Sequence, residues 1–434
     1  MKNTIPESAE TDDQDAERTE SDDSVPRSSE PDNAAPDIDV TYDLEDICDR
    51  CLEWAAAQEY AGYDPYDGLN SPYLSAVSDN WLTRLIGIHT VNKSPINLRP
   101  LLNVPKERNP KGVALFAMAY LNRYRETGRD ADKDTAEDLL RWLDRNRSPN
   151  YDDAAWGYNF DWQNARKFFL PEYYPSIVVT VFGGRAFLEY YTVTGVEWAL
   201  ETAKSAASFI RTHINQEQVN GFDVFTYTPY DSFVLINTNA LAAGFFYRLG
   251  NHTTSTALSD RAEELFEFVI DAQASSGGWY YAMPATDSHL SHDNFHTGFV
   301  LESLYEYAME QSDDHPAKRA YQKGMEFYQQ NLFDENGAPR FEADQRYPYD
   351  AHAAAQAILT FVQRGSDRDW ELAGDVCQWS LDNLFDSEGY FYRRIGRVLT
   401  DKTPYMRWSQ AWMCYALSAF SLHSTKALST AETE

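Results

Sequence analysis

Three of the nine histidines fall within eight residues, as His289, His292 and His296 of the stretch DSHLSHDNFHTGF (287–299), which also carries Asp287 and Asp293. His292 and His296 are four apart and on a helix would share one face, the spacing with which HxxxH motifs hold zinc. Asp293 stands where the glutamate of HExxH would be, and no third ligand is evident, so no metal is assigned. The competing reading makes Asp293 the N-cap of a helix starting here, with its histidines as hydrogen-bonded or acid–base groups.

Similar groups recur along the chain. Glu172 precedes Tyr173 and Tyr174, Asp231 precedes Asn237 and Asn239, Tyr349 and Asp350 precede His352, and Arg407 and Trp408 precede Gln410. Each alone reads as a cap or a packing contact. Together they supply carboxylates, imidazoles and a guanidinium from separate stretches, as a site must if it protonates one atom while deprotonating another. Trp279, Tyr174, Tyr349 and Trp408 offer flat rings to the apolar face of a pyranose, and Asn237, Asn239, Arg407 and Gln410 offer polar contacts to its hydroxyls. Two chemistries are open. Asp231 or Asp293 with Asp350 could be the acid and base of glycoside hydrolysis. His296 with His352 could instead exchange a proton at a sugar carbon.

Such residues converge only if the elements carrying them do. Apolar residues recur at spacings of three and four, as in VALFAMAYLNRY (113–124) and AEELFEFVIDAQ (262–273), and no alternating strand of useful length is present. Helices starting near Lys111, Ser176, Asn237, Asp293, Ala351 and Trp408 are rich in Ala, Gly and aromatics, as helices buried on most sides are. Their starts are 65, 61, 56, 58 and 57 residues apart, by subtraction of successive positions. A more polar helix precedes each of the last five, near 131, 197, 257, 315 and 367. The linkers between them share a Gly–aromatic turn: WGYNFDW, GFDVFTYTPY, GGWYYAMP, GAPRF and GYFYRR. Six helix pairs with apolar inner members predict an all-α (α/α)6 toroid, closed on itself, whose linkers gather at the inner-helix N-termini around one funnel. Unpaired N–H groups at six helix ends favour a polar, anionic ligand there. The first linker, 63–105, is expected to be irregular and to pack across the funnel.

The chain has 434 residues and a formal charge of −31, from 68 Asp and Glu against 37 Lys and Arg. Of those cations 26 are arginine and 11 lysine. Such a field repels nucleic acid and reads as adaptation to high salt, hence a halophilic source. No apolar run is long enough to span a membrane and no secretory signal is visible, so no membrane insertion and a cytoplasmic location are expected. Residues 1–40, with 13 Asp and Glu, three Lys and Arg and no aromatic residue, are expected to be a disordered acidic tail; 41–425 form the single toroid domain and 426–434 a disordered C-terminal tail. Cys48 and Cys51 lie in a helical pattern without a second CxxC and read as buried small residues. Phosphate loops, dinucleotide fingerprints and serine nucleophile elbows are absent, and no cofactor is expected.

Two stretches, DPYDGLNS (64–71) and DNFHTGF (293–299), resemble a family of (α/α)6 proteins encoded with prokaryotic polysaccharide and glycan assembly genes. The acid-rich composition is similar to members serving haloarchaeal N-glycosylation, and the likeness runs from about Tyr42 to His423. It implies an enzyme, a glycoside hydrolase or an isomerase or epimerase, that processes the glycan of surface glycoproteins. The expected substrate is a sugar, plausibly a hexuronic acid, that is nucleotide-linked, lipid-linked or part of an oligosaccharide, with glycosylation enzymes as possible contacts. The alternative is a non-catalytic toroid that binds glycan or scaffolds those enzymes. The active-site patterns of glucuronyl hydrolases and N-acylglucosamine 2-epimerases, which share the toroid, do not align here residue by residue, so no catalytic assignment is transferred.

Overall fold

Helix caps and apolar stripes divide the chain into fourteen helices in the computed structural model, which describes residues 42–431 apart from 95 and 165–167, and the last seven by backbone only. The expected tail at 1–40 lies outside the described residues. The first helix, α1 (Leu44–Ala57), is followed by two helices inside the first linker, α2 (Pro72–Ser75) and α3 (Trp81–Asn92). Then come α4 (Pro110–Thr127), α5 (Asp130–Arg145), α6 (Ile177–Thr194), α7 (Glu197–His213) and α8 (Ile236–Thr253). The chain continues through α9 (Thr256–Asp271), α10 (Asn294–Met309), α11 (Pro316–Asn331), α12 (Ala351–Arg364), α13 (Asp367–Leu384) and α14 (Trp412–Ala431). The last helix is thus described six residues into the stretch expected as a tail, and a π-helical turn, Met406–Ala411, leads into it.

The even-numbered helices from α4 to α14 form the inner layer. Each packs on the next, and α14 packs on α4, so the ring is closed. The fold is an (α/α)6 toroid. Each outer helix, α5, α7, α9, α11 and α13, packs on the inner helix before it, and α1 packs on α14. Burial explains the composition: nearly every residue of α6 from Ile177 to Leu188 is inaccessible, whereas α5 buries one face through Ala136, Leu139, Leu140 and Leu143. All four cysteines are buried free thiols, Cys48 and Cys51 on α1, Cys377 on α13 and Cys414 on α14.

Local chemistry sets where inner helices start and stop. Asn109, Ser176, Asp293 and Asp350 cap N-termini with their side chains, and Gly128, Gly195 and Gly365 end helices in the left-handed conformation that a Cβ disfavours. Five starts lie within one residue of the expected positions; the sixth differs because the π-turn precedes α14. The first linker is more regular than expected, since Asn80 and Thr83 form a capping box that nucleates α3.

Strands are two to four residues long and only staple the linkers. They are β1 (Ala61–Gly62) on β2 (Glu107–Arg108), β3 (Trp162–Asn164) on β4 (Phe168–Leu170), and β5 (Gln216–Val219) on β6 (Phe222–Phe225). A three-stranded ladder joins β7 (Tyr349–Asp350), β8 (Arg394–Ile395) and β9 (Thr400–Asp401). All pairs are antiparallel.

Candidate active site

The N-terminus of α10 builds the first functional element. Asp293, 1% exposed, has the extended backbone of an N-cap; one oxygen accepts the His296 N–H at 3.0 Å and the other lies 2.9 Å from His296 Nδ1. A carboxylate only accepts, so Nδ1 carries the proton and Nε2 is left as the free nitrogen. The His296 side chain is 16% exposed, and its ring lies 4.3 Å from that of Tyr281 and 4.1 Å from that of Phe295.

The next inner helix supplies the second imidazole. Asp350 caps α12, accepting from His352 N at 2.9 Å and from Trp408 Nε1 at 2.8 Å. Burial raises its carboxyl above the ordinary carboxylate range, against the pull of Arg393 and Arg394. His352 is 2% exposed and sits in an aromatic box, 4.4 Å from Phe295, 4.4 Å from Trp412 and 4.8 Å edge-on from Trp408. Neither of its ring nitrogens has a hydrogen-bond partner. Burial first, then Lys111, Arg407 and His296, hold its pKa well below the usual histidine range, so the ring is neutral. Phe295 therefore touches both imidazoles, on adjacent inner helices.

A third group comes from the first linker and the last inner helix. Arg407 grips Asp64 with two bonds of 2.6 and 2.8 Å, and its guanidinium lies 4.9 Å over the Tyr158 ring. Arg99 bonds Asp67 at 2.6 Å, Tyr405 Oη at 2.7 Å and the Asp64 carbonyl at 2.7 Å. Burial pushes the Asp67 carboxyl up to about 7 even against Arg99. The two aspartates of DPYDGLNS are thus fastened by two buried arginines. Tyr66 from this loop meets the Trp408 ring at 5.8 Å and Trp162 at 6.2 Å. Tyr66, Tyr158, Trp162, Tyr281 and His296 are the partly exposed members of the cluster.

Other sequence candidates have different work. His292 precedes the helix that begins after Asp293, so the four-residue spacing does not put it on a face with His296. Its ring rests on Tyr280 at 4.3 Å and Phe327 at 5.2 Å, with Nε2 3.4 Å from Ser276 Oγ. Among the described residues no three His, Cys, Asp or Glu side chains are grouped as metal ligands. Asp231 holds its own loop, accepting from Thr228 Oγ1, Tyr227 N and Phe233 N, and burial raises its pKa. Asn239 clamps both backbone groups of Phe225, at 2.8 and 2.9 Å, and Gln410 does the same to Phe391 at 2.8 and 2.7 Å. Trp279 donates to the Val269 carbonyl of α9 and packs on Gly324 of α11, so it belongs to outer-layer packing and not to the funnel. Tyr349 bonds Asp334 and packs edge-on against Trp379 of α13, again in the outer layer. Tyr174 meets Tyr230 edge-on at 5.2 Å. Asn237 is buried at the start of α8 with its Oδ1 unpartnered.

Sequence reasoning did not single out Asp64, Tyr66, Phe295 or Lys111 as site residues. Lys111 lies on the first turn of α4 with Nζ 4.2 Å over Phe182, 5.0 Å over Trp412 and 5.2 Å over Phe299. Burial, with Arg407 and Arg185, holds its pKa well below the usual lysine range. Its signal was a lysine at an inner-helix start in a lysine-poor chain.

Solved structures of the same shape include a cellobiose 2-epimerase from Bacillus thermoamylovorans, with TM-score 0.55 and 15% identity over 75% of this chain and 90% of that one. An unsaturated glucuronyl hydrolase specific for heparin has TM-score 0.57 and 13% identity over 90% and 98%. A GH76 α-mannanase from Bacteroides thetaiotaomicron has TM-score 0.56 and 13% identity over 77% and 90%. The likeness is one of fold. The sequence matches no protein-family model and no curated protein.

Proposed function

We propose that the toroid is a sugar epimerase or isomerase that moves a proton at a carbon beside a carbonyl. The observation that carries this reading is the pair of imidazoles packed against Phe295 in different electrostatic settings, one held by Asp293 and one in an aromatic box. His352, kept neutral, is the base that removes the proton; the C–H electron pair becomes the enediolate double bond and the carbonyl oxygen takes the negative charge. His296, its Nδ1 held by Asp293, returns a proton through Nε2 from the other face to give the epimer, or to the neighbouring carbon to give the isomer. Each carboxylate considered for hydrolysis is already engaged: Asp293 by His296, Asp350 by Trp408, and Asp231 by its loop. Arg393 and Arg394 beside Asp350, and Arg407 beside His352, support a carboxylated sugar such as a hexuronic acid. That structures named as an epimerase, a glucuronyl hydrolase and a mannanase share the fold supports a sugar substrate.

The test is incubation of the full chain with aldoses and hexuronic acids in D2O, following solvent exchange at C2 and epimer formation by NMR. Exchange that His296→Gln and His352→Phe abolish is the expected result. Release of free sugar from a glycoside without exchange would assign a hydrolase, and tight sugar binding with neither reaction would assign a binding scaffold. The finer reading, assembly of a surface N-glycan in a halophilic archaeon by an AglQ-like protein, rests on the sequence resemblance and the acidic composition. Deleting the gene should shift the mass of that glycan, and an unchanged glycan would remove the pathway.

A further inference from the structure

Charge and exposed apolar surface are distributed unevenly. Between Asn80 and Lys106 the chain contains no acidic residue, and neither does 389–400, although Asp and Glu number 68 overall. The same two regions, with residues 72–77, hold most of the large apolar side chains left in water among the described residues: Tyr73, Val77, Leu82 (49% exposed), Ile86 (56%), Ile96, Leu101, Val398 (87%) and Leu399. On α3 the buried face is Gly87, Ile88 and Val91, and the outer stripe runs Leu82, Ile86 and Lys93. The two regions adjoin. Arg393 donates to the Asn92 carbonyl, and a cleft of about 400 Å³ is lined by Asn92, Lys93 and Ser94 from one side and by Arg397, Val398 and Leu399 from the other, with one carboxylate, Asp401, which pairs with Arg393. Lys93 and Arg397 are exposed and have no carboxylate partner among the described residues. The face also borders the funnel, since α3 packs on β3, whose Trp162 meets Tyr66.

We propose that this face docks on an anionic lipid surface, with the apolar side chains entering the acyl boundary and Lys93 and Arg397 meeting headgroup phosphates. Exposed apolar side chains beside two unpaired cations match such a surface. A second copy seated face to face would place like charges together. Docking would orient the funnel beside the membrane, where a lipid-linked sugar is presented. It is independent of the proton-transfer reading, because it uses none of those residues.

The net charge makes the test sharp, since a chain of −31 should be repelled by anionic vesicles everywhere except through this face. Full-length protein is floated with phosphatidylglycerol vesicles and with phosphatidylcholine vesicles at the lowest salt where circular dichroism shows it folded. Co-flotation with the anionic vesicles, weaker with the neutral ones, is expected. Leu82→Ser, Ile86→Ser and Leu399→Ser combined, and separately Lys93→Glu with Arg397→Glu, should each reduce it by about tenfold or more. All five positions are exposed, and helix content should hold. Absence of flotation, equal binding to both vesicles, or full binding by either variant overturns the proposal. A dimer by light scattering that both variants dissolve would reassign the face to a second copy.

Discussion

An asparagine at position 293 would keep the cap of α10 while removing the charge that faces His296. Asn caps a helix about as well as Asp, so Asp293→Asn should leave thermal unfolding within about 2–4 °C of the parent. Proton exchange at the sugar carbon should nonetheless fall by roughly 10²–10⁴-fold, as when the carboxylate behind a catalytic imidazole is neutralised. Full activity in a stable variant would make Asp293 a cap only. His352 allows a pH prediction. Its folded pKa lies below the ordinary 6.5, so above that value its contribution to stability is complete. As pH falls below 6.5 the unfolded chain takes up a proton that the resting native box accepts only at lower pH, and stability is lost at roughly 1.4 kcal/mol per pH unit. Denaturant unfolding of His352→Phe between pH 6.5 and 5 should show a pH slope shallower by that amount; an unchanged slope would mean the ring titrates freely in the fold. At this scale the sequence disclosed His296, His352 and both capping aspartates, because a cap and a polar group at a helix start leave a local pattern. Phe295 could not be singled out, since what distinguishes it is the company of rings from other repeats, and Lys111 left only its place at an inner-helix start as a signal.

The linkers were legible as repeats but not in what they do. Trp156 donates to the Leu143 carbonyl of α5 and Trp279 to Val269 of α9, so the tryptophan of the Gly–aromatic turn ties the end of an outer helix down. The space is tight enough that a Cβ on Gly183 would lie 2.5 Å from the Trp156 ring. Aromatic abundance at a funnel rim therefore overstated the number of sugar platforms, and Trp279 and Tyr349 were misplaced for that reason. Asn239 and Gln410 show the same economy, each an amide satisfying one linker residue's N–H and C=O. Asn239→Ala should cost about 1–3 kcal/mol, the price of a buried backbone N–H left without a partner. Urea unfolding measures it, and a loss below about 0.5 kcal/mol would mean the linker re-pairs. α3 was visible in principle, through the Asn80–Thr83 capping box, but its apolar run faces water on one side and so lacks the usual burial pattern.

Over the whole molecule, the period of the inner helices was enough to specify a closed ring, because apolar helices of this kind have nowhere else to hide. Solvent cannot be read from a fold, but charge can: a surface of −31 repels itself when counterions are withdrawn. Lowering the salt from molar KCl to millimolar should expand the chain, and returning it should restore compactness. Circular dichroism and X-ray scattering unchanged across that range would sink the halophile reading.

Ring closure also has a temporal side. Asp64 and Arg407, which grip each other, are 343 positions apart, and α4, near the start, finds its neighbour α14 only at the end. During synthesis the chain must hold an apolar flank of α4 without its final partner for nearly the whole of translation, a long-range pairing whose loop-closure entropy is met last. A ribosome that stops before Arg407 leaves Asp64 without its guanidinium, Asp350 without Trp408 and a ring open along two apolar flanks. Products that stop short lack contacts of the candidate site and expose apolar flanks, so closing the ring and completing the candidate site are one event.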